Sequence, residues 1–303
     1  MRVLVIGAGA TGGYFGARLT QAGRDVTFLV RPPRADQLAE RGLRVRDTDG
    51  HVDRVDIRTV THDRLTDNFD IVLVAVKAYA LPTAITDFSP AVGPHTAVIP
   101  FLNGMKHIDK LTAAFGPTNV YGGVLYLVTE LADDGDVVHL GGKAEMRYGP
   151  LAPGDARAGQ IHEALSGAGF QSDLSTTIEA DMWEKWVYLA SVTAVTCLMR
   201  GTVGDVTAVP GGTDLATAIG DEATAVATAA GFPPRPEAAK RLFATLTAPG
   251  APTTSSVYRD LRQGRRLENE AVISDLVRRA RALEVPTPLL AATDVNLAVY
   301  RAP

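Results

Sequence analysis

A single cysteine in 303 residues, Cys197, excludes an internal disulfide and a zinc site built from several thiolates. The six histidines, His51, His62, His95, His107, His139 and His162, are scattered. None stands in the HExxH or His-x-His spacing that sets two imidazoles on one ion, so no protein-bound catalytic metal is expected. An excess of basic charge is missing too: 30 Lys and Arg face 34 Asp and Glu, for a net charge of -4. That balance argues against the broad electropositive footprint of a nucleic-acid binder. No run approaches the ~20 apolar residues that span a bilayer. Residues 2–7 read directly as a core strand, without the regions of a secretory signal. The expectation is a soluble protein of the reducing cytoplasm. What is present is ordinary globular composition, 46% hydrophobic and 21% charged. At ~100–200 residues per domain the length suits two domains.

The first half alternates short β-branched runs with helical stretches, the pattern of a parallel sheet covered on both faces. Strands are expected at 3–6, 25–30, 71–76 and 96–100, with helices at about 11–22, 35–41, 80–88 and 107–115. From 120 to 174 the pattern turns to extended runs at 120–127, 137–140 and 144–148, broken by Asp133-Asp134-Gly135-Asp136 and Gly141-Gly142. These suggest hairpins at the sheet edge, followed by a helix near 156–167 and a strand near 170–174. After Ser175 strand signals nearly vanish. Helices are expected at 178–199, 215–230, 238–246, 255–282 and 288–300, so residues 176–303 should form an all-α domain behind an α/β domain at 1–175.

Gly7-Ala8-Gly9-Ala10-Thr11-Gly12 is G-x-G-x-x-G, placed between a strand and an amphipathic helix. In this motif the first glycine makes the tight turn, the second lets backbone approach a pyrophosphate, and the third packs helix on strand. Amides at the helix start favour the anion. Strand, motif, helix and second strand fall within one ~30-residue unit, which is the context a Rossmann-type dinucleotide site requires. An NAD enzyme usually places an acidic residue after the second strand, to bind the ribose 2′-hydroxyl. Here Val30-Arg31 stands instead, and a guanidinium suits the 2′-phosphate of NADP. The alternative for Arg31 is a solvated arginine in a loop that also carries Arg34. Lys77 follows a buried run at the carboxyl end of a strand, where ligands lie in such sheets; it could equally be a solvated strand terminator.

The fingerprint alone does not set the reaction. No Tyr-x-x-x-Lys pair occurs, which counts against short-chain reductases. Carbonyl reduction needs a proton donor beside the oxygen as hydride arrives, and a lysine can serve when its pKa falls from ~10.4. Trp183-Glu184-Lys185-Trp186 offers such a lysine, between two indoles and ahead of a mainly apolar stretch. The alternatives for Lys185 are a snorkelling side chain or an ion-pair partner of Asp181 at i−4.

At these residues the chain resembles the ketopantoate reductases (2-dehydropantoate 2-reductases) over essentially its whole length. The marks are the glycine motif, Arg31, Val76-Lys77, Asn103-Gly104 and Trp183-Glu184-Lys185. They continue through Ser255-Ser256-Val257-Tyr258-Arg259-Asp260, Gly264-Arg265-Arg266-Leu267-Glu268 and the late Val285-Pro286-Thr287-Pro288. The resemblance implies a Rossmann-type domain before a helical one, and NADPH-dependent reduction of the 2-oxo acid ketopantoate to pantoate, as in pantothenate biosynthesis. A small-molecule substrate is thus the expected partner, with a homodimer possible. It implies Lys185 as proton donor and Glu268 as a second catalytic group that also meets the cofactor. Gly7, Ala8, Gly9, Ala10, Thr11, Gly12, Arg31, Lys77 and Asn103 fall to the cofactor; Asn103, Lys185, Leu189, Thr193, Ser255 and Ser256 fall to the substrate. Plain alternatives stay open: Asn103 as a turn residue before Gly104, Ser256 as a helix N-cap, and Glu268 as a solvated helical glutamate pairing Arg265 at i−3.

One departure bears on the substrate. Family members acting on ketopantoate commonly carry asparagines four and eight residues after the lysine, where this chain has Leu189 and Thr193; a further asparagine found in some members aligns near Val203. Each lost amide removes a contact worth ~0.5–1.5 kcal/mol. A more apolar 2-oxo acid, another ketone, or a non-catalytic NADP-binding regulator are the competing readings. Ser191 and Thr193 can compensate in part, or merely bond backbone carbonyls of their own helix.

Overall fold

The computed structural model describes residues 1–300, and the chain divides into two compact units. The first holds residues 1–102 and 107–178; the second holds 103–106 and 179–300.

The first unit opens with β1 (Arg2–Ile6), α1 (Ala10–Gln21), β2 (Asp25–Leu29) and α2 (Pro32–Arg41). Three short strands follow, β3 (Leu43–Arg46), β4 (Val52–Val55) and β5 (Arg58–Val60), then β6 (Phe69–Val74), α3 (Leu81–Phe88), β7 (Val92–Pro100) and α4 (Lys106–Phe115). The unit closes with β8 (Tyr121–Tyr126), β9 (Thr129–Leu131), β10 (Val137–His139), β11 (Glu145–Pro150), α5 (Ala158–Leu165) and β12 (Gln171–Leu174).

The main sheet has the order β5-β2-β1-β6-β7 and is parallel throughout. Its strands are buried on both sides, which is why they read as nearly unbroken apolar runs. Alternate residues feed two cores: Val3, Val5, Phe28, Ile71 and Leu73 meet Phe15 and Leu19 of α1, while Leu4, Ile6, Leu29, Val72 and Val74 meet Leu81, Phe88 and Leu111. The connection from β1 runs first to β2 on one side and later to β6 on the other. The reversal of strand order beside β1 is the place where such sheets bind ligands, at the carboxyl ends of the strands.

The expected edge hairpins take a different form. Residues 120–174 build two further ladders, β4-β3-β10-β9 and β12-β11-β8, rather than an extension of the main sheet. A single bridge, Val98 to Val120, links β8 to β7. Strands β3, β4 and β5 lie where no strand is expected from pattern, because they are short and each carries charged residues; β3 pairs β4 next to it and β10 far along the chain.

The second unit is helical: α6 (Ile178–Met199), α7 (Val203–Thr207), α8 (Gly212–Ala229), α9 (Pro236–Leu246), α10 (Ser256–Arg262), α11 (Asp275–Ala282) and α12 (Pro288–Val299). Helix α6 has neither Gly nor Pro and buries residues on most of its circumference, as a central helix must. Two of its hydroxyls bond its own backbone, Ser191 donating to the Val187 carbonyl at 2.8 Å and Thr196 to that of Val192 at 2.7 Å. Helix α12 begins on a borrowed cap, since Glu222 of α8 accepts from the amides of Leu289 and Leu290 at 2.9 Å each.

The single helix expected at 255–282 is instead two helices separated by an irregular stretch and one π turn at Glu270–Ser274, where the Asp275 amide bonds the Glu270 carbonyl. Gly264, at φ +66°, ends the first piece after α10.

Candidate active site

In the first unit the glycine motif leaves the end of β1. Gly7 takes φ +90°, a conformation that only glycine adopts cheaply, while its amide donates to the Leu29 carbonyl at 2.9 Å. A side chain on Gly12 would collide with the Gly7 carbonyl oxygen and crowd Val5 and Ala75. In front of Gly9 there is open space, with no heavy atom within 4 Å of where its Cβ would stand. The Gly13 amide then bonds the Gly9 carbonyl at 2.7 Å and α1 begins, without any side-chain cap over its free amides. One tight turn, one open face and one close packing are what a pyrophosphate-binding loop needs, so these residues fit a dinucleotide.

Ile6 is level with Leu29 in β2 and with Val74 in β6, so Gly7, Arg31 and Lys77 all emerge at the same edge of the sheet. Both cations are exposed there. Arg34 is the residue that pattern reading passed over. Its half-buried guanidinium donates to the Ala8 carbonyl at 3.0 and 3.2 Å and to the Gly135 carbonyl at 3.0 Å, and it also bonds Gln37. It clamps the glycine loop to the β9–β10 turn. Nothing in an arginine directly after two prolines announces this, because its clamping partners are carbonyls that any residue carries.

In the second unit Asn103 and Gly104 pack beside the π turn. Gly104 has φ +77°, and a Cβ there would collide with the Ala271 carbonyl oxygen. Trp186 is fully buried, and its indole N–H donates to the Val272 carbonyl at 2.9 Å. Trp183 lies 5.0 Å from Trp186, centroid to centroid, and stacks on Phe232 at 5.7 Å. Lys185 sits among these groups partly buried, and desolvation pushes its pKa down to about 8 against the opposing pull of the Glu268 carboxylate. Arg235 takes up both nearby acids: it bonds Asp181, and it holds Glu184 through Nε and Nη2 at 2.6 Å and through its amide at 2.9 Å.

Glu268 is not a solvated helical residue. It is buried, lies in the irregular stretch before the π turn, and its carbonyl accepts from the Ala271 and Val272 amides at 3.1 and 3.3 Å. The N-cap of α10 is Ser255, not Ser256: the Ser255 hydroxyl accepts from the Tyr258 amide at 3.0 Å and meets that of Thr196 at 3.3 Å. Ser256 occupies the first helical position, partly exposed. On α6, Leu189 follows Lys185 by one turn and is partly exposed, whereas Thr193 and Val203 are buried.

A parallel sheet with this loop at its carboxyl edge, joined to a helical unit carrying a desolvated lysine, defines a dinucleotide-dependent oxidoreductase. Residues 3–153 match the model of the ketopantoate reductase family (PanE/ApbA) and residues 177–295 that of its C-terminal region. The chain belongs to the ketopantoate reductase family, whose members act on 2-oxo and 2-hydroxy acids. It is similar to an uncharacterized oxidoreductase, YkpB, of Bacillus subtilis, 33% identical over 100% of this chain and 99% of that one. It is also similar to a 2-dehydropantoate 2-reductase of Mesorhizobium japonicum, 27% identical over 99% of this chain and 97% of that one. Its fold matches a D-mandelate dehydrogenase solved with NADH and anilino(oxo)acetate, with TM-score 0.87 and 21% identity, covering 99% of this chain and 98% of that one.

Proposed function

We propose that the protein uses NADPH to reduce a 2-oxo acid to the 2-hydroxy acid, with ketopantoate as substrate and Lys185 as proton donor. The observation that carries this is the lysine itself, with a pKa brought down to about 8 and a buried carboxylate, Glu268, acting on it. Such a group is largely protonated at neutral pH, yet gives up its proton far more readily than a free lysine. Reduced nicotinamide supplies the hydride. Gly7, Ala8, Gly9, Ala10, Thr11 and Gly12 hold the pyrophosphate, while Arg31 and Lys77 bind the 2′-phosphate that distinguishes NADPH from NADH. The Lys185 ammonium also stabilises the oxyanion as it forms, and Asn103 and Ser256 orient the substrate through an amide and a hydroxyl.

A second reading concerns the substrate alone. Leu189, one helical turn from Lys185 and partly exposed, offers no hydrogen bond, which favours a 2-oxo acid with an apolar side chain. Initial rates of NADPH oxidation with ketopantoate, beside branched and aromatic 2-oxo acids, decide between the two. Turnover highest on ketopantoate supports the first, and turnover highest on an apolar acid supports the second. Tight NADPH binding with no turnover on any 2-oxo acid overturns both and leaves a non-catalytic NADP-binding regulator.

A further inference from the structure

The π turn at Glu270–Ser274 stands out in a helical unit that is otherwise regular. A π turn inserts one residue into a helix, costs hydrogen-bond geometry, and is frequent at functional sites. Here it begins two residues after Glu268, and two successive carbonyls within it are engaged by the chain neighbours of two proposed site residues. The Val272 carbonyl accepts from the indole of Trp186, next to Lys185, at 2.9 Å. The Ala271 carbonyl abuts Gly104, next to Asn103, closely enough that no side chain fits between them. Trp186 is 1% exposed and Val272 2%, so water does not compete for that bond. An unpaired carbonyl at this depth would be costly, which makes the bond a strong constraint on register.

We propose that the Trp186–Val272 bond pins the helix bearing Lys185 to the segment bearing Glu268, making Trp186 a positioning residue for the proton donor. The inference rests on the reading of Lys185 given above. The charges around this junction are accounted for element by element. On α6, Asp181 and Glu184 bond Arg235. On the π turn, Glu270 bonds Lys106 and, at 2.7 Å, Arg278. On α11, Asp275 bonds Arg278 and holds Arg279 at 3.0 Å, and the Arg279 guanidinium lies 5.8 Å from the centroid of the Trp186 ring. Glu268 is the group that acts on the lysine with a sign favouring its charged form. If the pin is released while the ring remains, desolvation persists and the attraction of Glu268 weakens, so the lysine loses its proton at lower pH.

The test is Trp186→Phe, which keeps an aromatic ring and removes the donor. The expected result is a loss of kcat of about tenfold or more, with KM for NADPH within about twofold. The alkaline limb of the kcat/KM profile should move to lower pH. A readout on the free protein accompanies it: the pH at which Lys185 becomes reactive toward acetic anhydride, read by peptide mass spectrometry, should move the same way. Ile219→Val, a buried change on α8, controls for a general loss of stability and should move neither quantity. If the Phe chain does not fold, Trp186→Met, which also lacks a donor and fills much of the same apolar volume, is read by the same criteria. Both pH values unmoved in a folded variant, in an enzyme that Lys185→Ala inactivates, overturns the positioning role. Full turnover in Lys185→Ala overturns the proton-donor reading instead.

Discussion

The glycine loop of the first unit and the lysine junction of the second solve opposite problems. As the proposed cofactor loop it has to present backbone, and it is built by omission: Gly9 leaves space, Gly12 leaves no side chain where a carbonyl stands, and Gly7 turns where other residues are strained. The junction must hold a charge in a poor solvent, so it works by crowding, with two buried indoles, a buried carboxylate and a carbonyl used as an anchor. A site built from absences is written in consecutive residues. A site built from crowding draws on segments more than eighty positions apart.

This contrast can be broken or sharpened, beginning with its strongest consequence. Lys185→Ala should lower turnover by about 10²–10⁴-fold, the usual contribution of a positioned acid, while the NADPH dissociation constant, read by fluorescence titration, stays within about twofold. In the unmodified enzyme kcat/KM should fall above about pH 8, as Lys185 loses the proton it gives. The stability sign is opposite. A folded pKa below the unfolded value means that the unfolded chain binds more protons between them, so stability rises with pH from about 8 toward 10.5. Chemical denaturation across that range checks it.

Two glycine substitutions separate space from packing in the loop. Gly9→Ala should fold with unchanged Tm yet bind NADPH at least about tenfold more weakly, because its methyl enters the open face. Gly12→Ala should lose about 1–3 kcal/mol of stability as well, since its methyl meets the Gly7 carbonyl. Calorimetry beside titration tells them apart. Arg31→Asp should weaken NADPH by about tenfold, a charge-assisted bond being worth ~1.5–3 kcal/mol, and leave NADH unchanged; unaltered preference between the two would remove the basis for assigning NADP. Leu189→Asn should have the smallest effect, a change of about 2–10-fold in the ratio of kcat/KM between ketopantoate and an apolar 2-oxo acid. No movement in that ratio would place Leu189 outside the substrate's reach.

The sequence disclosed what depends on local rules. The parallel sheet, the loop and α6 follow from periodicity and glycine spacing, because buried strands and a central helix carry uniform apolar patterns. What stayed hidden depends on partners distant in the chain. β3 alternates charge, and it is held between β4 beside it in sequence and β10 far along the chain. Apolar periodicity across 255–282 suggests one helix; Gly264 marks where the first piece ends, but the π turn itself has no sequence mark, and Trp186 and Gly104 press on two of its carbonyls. Glu268 looked like a surface glutamate for the same reason: its burial is decided by that interruption rather than by its neighbours in sequence.

Arg34 carries a consequence for the order in which the molecule matures. The glycine loop is encoded in the first dozen residues, but one end of its clamp, the Gly135 carbonyl, lies 101 positions beyond Arg34. During synthesis the loop can be turned early and cannot be locked until the β9–β10 turn has left the ribosome and closed a long stretch of chain. Cofactor affinity should therefore be among the last properties the nascent first unit acquires, even though its signature is the first thing translated.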